Sequence, residues 1–198
     1  MKQRKKIPWG QAVGVGLSLL MGAGCGAVLA SGFDRCPAGT PRLLWALGLT
    51  AALLLALLLQ ITLHEGGHLV CGLLSGYRFC SFRVGSLMWI KADGRLRLRR
   101  LRLAGTGGQC LMSPPDMADG SLPVTLYNFG GALANLLTAA LALALYGPAR
   151  NAPLLAWFLL FLAVIGGFAA AMNGIPLRLN GVTNDGCNAL SLQKDPAA

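Results

Sequence analysis

Residues 57–74 read LLLQITLHEGGHLVCGLL, and the polar letters in this leucine run decide how the chain is understood. A helix in hydrocarbon excludes ionisable side chains, because each costs several kcal/mol unless it is paired or serves a function. Here His64, Glu65 and His68 interrupt an apolar run extending from about residue 43 to about residue 73. Three further runs, about 9–31, 124–146 and 153–172, also reach the roughly 20 apolar residues a spanning helix needs.

Composition agrees with a membrane protein. The 198 residues are 55% hydrophobic and only 12% charged, where a soluble domain carries about 25% charged residues. Mean hydropathy is +0.59. The expected fold is an all-α polytopic membrane protein of one domain, 1–198, with about four transmembrane helices. The first run follows MKQRKK and ends in VLASG, as a signal peptide can. Its apolar part exceeds the usual 7–15 residues, so it is read as a retained helix.

The net charge of +10 suggests nucleic acid, but the placement of the charges excludes it. Fourteen of the 17 basic residues lie before the first run, between the second and third, or after the fourth. Only Arg35, Arg42 and Arg150 lie in the other two connections. That asymmetry predicts a multi-pass protein of the cell membrane with both termini and the long middle loop, 76–123, in the cytoplasm. It also makes membrane lipids with anionic headgroups natural partners.

The middle loop has strand character. Asp93-Gly94 is a strong hairpin signal, and RLRLRRLRL alternates Arg and Leu, with a bulge expected where Arg99 meets Arg100. A cytoplasmic β-hairpin insertion over 78–103 is expected, with an edge that could capture an extended peptide. The following AGTGGQCLMSPPDMADG (104–120) reads as a loop. It lacks the Lys-Ser/Thr of a phosphate-binding loop. The six cysteines form no CxxC pair, and no disulfide framework is expected.

The chemistry resides in His64-Glu65-Gly66-Gly67-His68, an H-E-x-x-H pattern. On a helix the two histidines lie about 40° apart around the axis and about 6 Å along it, so both imidazoles can reach one zinc ion. Glu65 lies on the flank of that face, where it can take a proton from a water held at the ion. These are the only two histidines and the only glutamate in the chain. Hydrogen-bonded histidines that merely support packing are the plainer reading, but membrane helices usually pack through small or neutral polar residues.

A zinc protease site has three protein ligands plus water, and neither a third His nor a second Glu exists. Among the aspartates, Asp34 is expected on the outer side and Asp93 serves a turn. Asp116, Asp119 and Asp195 are further carboxylates. Asp185, just beyond the fourth run, is the best placed. Cys71, one turn beyond His68, is the rival.

HEGGH (64–68), GGALAN (130–135) and NGIPLRLNGVTNDG (173–186) together resemble the site-2 protease family of intramembrane zinc metalloproteases. Gly130-Gly131 stands where that family often has Gly-Pro, and the interval from Asn173 to Asp185 is longer than in its compact form. The resemblance covers the second to fourth helices, about 43–190, as the catalytic core. It implies zinc on His64, His68 and Asp185, Glu65 as general base, and Asn135 as a contact for the substrate backbone or the developing oxyanion. The expected activity is hydrolysis of transmembrane or membrane-associated peptides, as in regulated intramembrane proteolysis. The alternative is a non-hydrolytic metal-binding membrane protein: a carrier, a sensor or an accessory subunit.

Overall fold

A computed structural model describes residues 9–102, 107–116, 123–179 and 181–194. Four helices, α1 (Trp9–Asp34), α2 (Arg42–Leu74), α3 (Val124–Tyr146) and α4 (Pro153–Gly174), are long and apolar enough to cross a membrane. At 1.5 Å per residue, the 33 residues of α2 extend about 50 Å, against about 30 Å of hydrocarbon.

The bundle packs on an interior of aromatic, aliphatic and small residues. Trp45, Leu49, Ala56, Ala142, Trp157 and Phe161 form one buried cluster near the α1–α2 connection, and the Trp45 indole N–H donates to the Gly32 carbonyl at 2.8 Å. Many leucines, such as Leu43, Leu54, Leu137 and Leu143, stand exposed on the outer faces. Such an inside-out distribution suits a lipid solvent, in which apolar surface costs nothing to expose. Where α2 crosses α3, Gly67 and Gly130 meet backbone to backbone, and a Cβ on either would overlap the other's peptide. This is the close approach that small residues permit between membrane helices.

Between α2 and α3 lies an antiparallel sheet: β1 (Arg78–Val84), β2 (Leu87–Ala92), β3 (Arg95–Arg100) and β4 (Gly108–Ser113), in the order β3-β2-β1-β4. Asp93 and Gly94 close the β2–β3 hairpin with φ of 51° and 74°. Positive φ at both positions is what a two-residue I′ turn requires. Two expectations are corrected. The Arg99-Arg100 bulge is absent, because β3 pairs with β2 in unbroken register from Ala92↔Arg95 to Leu87↔Arg100; the register shift lies instead in β1, between Phe79 and Ser81. The segment 104–120 is not simply a loop: Gly108–Ser113 is β4, paired with β1. Its glycines lower strand propensity, but they allow it to pack tightly on α2. Gly107 lies against Ile61, Gly108 against Glu65, and Met112 against Gly72. The hairpin is therefore one arm of a four-stranded sheet, and β4, not the arginine-rich β3, is the edge beside α2.

Helix α4 ends at Gly174, ahead of Pro176, as a proline stop predicts. A two-stranded ribbon, β5 (Arg178–Leu179) and β6 (Val182–Thr183), leads into α5 (Asp185–Lys194). Asn184 joins these pieces. Its Oδ1 accepts from the backbone N–H of Leu177 at 2.9 Å and of Cys187 at 3.0 Å, which caps α5. Its amide donates to the carbonyls of Met172 at 2.7 Å and Ile175 at 2.6 Å, so carbonyls at the end of α4 are satisfied by the residue that caps α5. The first residue of α5, Asp185, is thereby turned back toward α2.

Candidate metal centre

Three side chains converge at the α2–α3–α5 junction. His64 Nε2 and His68 Nε2 are 3.2 Å apart. Asp185 Oδ2 lies 3.2 Å from the first and 3.3 Å from the second. Among the described residues, His64, His68 and Asp185 form a group that could hold a metal ion.

The hydrogen bonds behind the rings fix what the three atoms offer. His68 Nδ1 lies 2.8 Å from the Tyr127 carbonyl, which can only accept, so Nδ1 carries the proton. His64 Nδ1 lies 2.6 Å from Asn135 Oδ1 and is likewise the donor. Both Nε2 atoms therefore turn lone pairs to the centre, where Asp185 Oδ2 is buried without a hydrogen-bond donor. Three lone pairs facing one another repel unless a cation, an added proton or a hydrogen-bond-donating water sits among them. A tetrahedral ion with bonds of about 2.0 Å needs donor atoms about 3.3 Å apart, which matches the observed triangle. Burial raises the pKa of Asp185, but the two imidazoles beside it outweigh that effect and bring it from its ordinary 3.8 to about 2. It therefore presents a carboxylate at any neutral pH.

Space at the centre depends on a glycine. A Cβ on Gly131 would stand 2.5 Å from His64 Cε1 and 2.6 Å from both Nε2 atoms. The Gly130-Gly131 pair thus has two functions: the first residue lets α2 approach, and the second leaves room for the imidazoles.

Glu65 is buried but stands outside the converging triad. It lines a cavity of about 270 Å³ together with His64, Ile61, Gly107, Gly108 and Asn173. Gly108 of β4 lies so close that a Cβ there would be 2.5 Å from Glu65 Oε1.

Asn135, which the resemblance implies as a substrate contact, lines the same cavity as Glu65 and is held by neighbours within the bundle. It is wholly buried in α3, its oxygen is directed to His64, and its amide N–H groups go to the backbone oxygen and Oε1 of Gln60, at 3.0 and 2.6 Å. It therefore holds a candidate ligand by Nδ1 at the wall of the cavity that Glu65 also lines. Among the other candidates, Asp93 pairs with Arg97 at the hairpin tip and Asp116 with Arg78, both exposed. Asp34 lines a separate pocket with Cys36 and Arg42 at the α1–α2 connection. Cys71 packs toward Gly130. Asp119 and Asp195 lie outside the described residues. The described cysteines are all free thiols.

Sequence reasoning missed Gln60, Asn184 and the strand β4. Gln60 carried a signal, being a strongly polar residue one turn before His64 in the same apolar run. A search of protein-family models, curated proteins and solved structures found no match to this chain.

Proposed function

We propose that this protein is an intramembrane zinc metalloprotease of the site-2 protease kind, acting on transmembrane or membrane-associated peptides. The observation that carries the reading is the convergence of His64, His68 and Asp185, with Glu65 beside them in a cavity among apolar helices. A donor set of two imidazoles and one carboxylate is the one many zinc hydrolases use, with the fourth position open.

Zinc, when bound, supplies Lewis-acid polarisation of a carbonyl and lowers the pKa of a bound water to about 7. The chain's own groups do the rest. Asn135 and the Tyr127 carbonyl hold the two rings by Nδ1 so that Nε2 stays unprotonated. Glu65 takes the proton of the attacking water and returns it to the leaving amine. Leucine-rich helices on either side exclude bulk water, which strengthens each of these electrostatic interactions. An extended peptide would bind in the cavity whose wall is formed by Glu65, Gly107 and Gly108. The β3 edge cannot serve this role directly, since β2 and β1 separate it from β4.

The direct test uses purified protein in lipid vesicles and a panel of single-span peptides. Cleavage that stops on chelation and returns with zinc supports the reading. Metal transport without cleavage of any peptide points to a carrier instead.

Gly108 offers a finer check. In Gly108→Ala the new methyl displaces the Glu65 carboxylate, whose atoms are its three nearest neighbours. Cleavage is expected to fall about 10- to 100-fold with zinc content unchanged, since small misplacements of a catalytic group cost that much. Full activity in this variant would remove Glu65 from its assigned place.

The orientation belongs to the same proposal. With 14 basic residues against 3 in the two sets of connections, the sheet and both termini are assigned to the cytoplasm. Cys36, in the α1–α2 connection, is expected to react with an impermeant thiol reagent in intact cells. Cys80, exposed on β1, is expected to be protected until the cells are opened. Labelling of Cys80 from outside reverses the orientation.

A further inference from the structure

From its place on α2, the Gln60 side chain hydrogen-bonds to both α3 and α4. It is buried to 1% exposure. Its Nε2 donates to the Leu162 carbonyl of α4 at 2.8 Å. Its Oε1 receives the Asn135 amide of α3 at 2.6 Å, and the Thr138 hydroxyl lies 3.1 Å from the same oxygen. Gly166 of α4 makes the room, because a Cβ there would collide with the Gln60 amide.

The acceptors set the direction of every bond in this chain. The Leu162 carbonyl cannot donate, so the Gln60 atom facing it is the nitrogen and the oxygen faces Asn135. The Asn135 atom meeting that oxygen and the Gln60 backbone oxygen is then the nitrogen, and Asn135 Oδ1 is left to face His64. An oxygen opposite His64 Nδ1 admits one neutral tautomer, with the proton on Nδ1 and the lone pair on Nε2. His68 reaches the same tautomer independently, through a backbone carbonyl that no side chain needs to hold.

We propose that Gln60 is a positioning residue for the metal centre: reading the Leu162 carbonyl on one side and orienting Asn135 on the other, it sets the tautomer in which His64 presents Nε2. The inference rests on the metal-site reading above, but not on proteolysis. Gln60 and Asn135 are almost fully buried, which leaves little access for water to replace a lost partner, so a broken link is passed along the chain. The Gln60 backbone oxygen still holds one Asn135 N–H after the side chain is lost, so the effect is a weakened preference rather than a collapse.

The test uses the full chain in detergent micelles with ¹⁵N-labelled histidine. Only two histidines exist, so the ring-nitrogen spectrum contains the two sites in question and no others. Without zinc, at about pH 9, where free imidazoles are neutral, both rings of the parent protein are expected as the Nδ1–H tautomer. In Gln60→Met, which keeps the volume and removes both bonds, His64 becomes a mixture while His68 is unchanged and reports an intact fold. Zinc affinity by chelator competition falls about tenfold, the low end for a residue behind a ligand. If Gln60→Met keeps the parent tautomer and affinity while losing thermal stability, Gln60 is a helix tie only and the proposal is overturned. Should that variant fail to fold, Gln60→Asn replaces it: an amide one methylene too short to reach both partners, whose unchanged tautomer and affinity overturn the proposal equally. A parent protein that binds no zinc overturns the metal reading itself, an outcome distinct from the other two.

Discussion

Glu65→Gln is expected to leave the protein with its zinc and without its activity. The substitution keeps nearly the same volume in a buried position and leaves His64, His68 and Asp185 untouched, so metal content should stay near one ion per chain. The Gln amide cannot accept the proton of the attacking water. Loss of a general base costs about 10²–10⁴ in rate, and the upper part of that range applies where the same group also orients the nucleophile. Glu65 stands beside the triad rather than in it, as that double role requires. A carrier or a structural metal site has no use for the proton acceptor and predicts little change. Full activity in Glu65→Gln would falsify the hydrolytic proposal.

Asp185→Ala is expected to empty the site. Structural zinc sites contribute roughly 10–16 kcal/mol through four ligands, or about 3 kcal/mol each, so loss of one ligand lowers affinity about 100- to 1,000-fold. Asp185 is also the single anionic member of the triad, so its removal leaves two neutral imidazoles to hold a dication. His68→Ala is expected to match it, with loss of zinc and of cleavage together. The contrast with Glu65→Gln is what separates ligand from base: one class of variant loses metal and rate, the other loses rate alone. Retention of zinc by Asp185→Ala would mean that the carboxylate is not the third ligand, and Cys71 and Asp116 would be the next to replace.

The differences between expectation and structure follow a physical pattern. The four long helices were legible because each depends on composition over a window of about 20 residues. The Asp93-Gly94 turn was legible because Asp and Gly both tolerate positive φ, and side by side between two strand-like runs they suit a two-residue turn best. Strand β4 was not, because its Gly-Gln-Cys-Leu-Met-Ser run has weak propensity of its own and exists by pairing with β1. The arginine-rich strand kept its register where a bulge was expected, since both faces of β3 are exposed and no buried face requires the alternation to be restored after Arg99-Arg100.

The candidate site divides in the same way. The pairing of His64 with His68 was written in the sequence, because one helical turn places residues i and i+4 on one face whatever surrounds them. The flanking place of Glu65 follows from the same geometry. The approach of Asp185 was open to inference only by elimination and by the resemblance, since it arrives through Asn184 and the α4–α5 corner, contacts between segments that no local rule links. The hydrogen-bond partners of Asn135 and Gln60 were decided by tertiary structure alone. A buried amide can bond in several directions, and only the packing of α2 against α3 and α4 determines which partner each of its atoms finds.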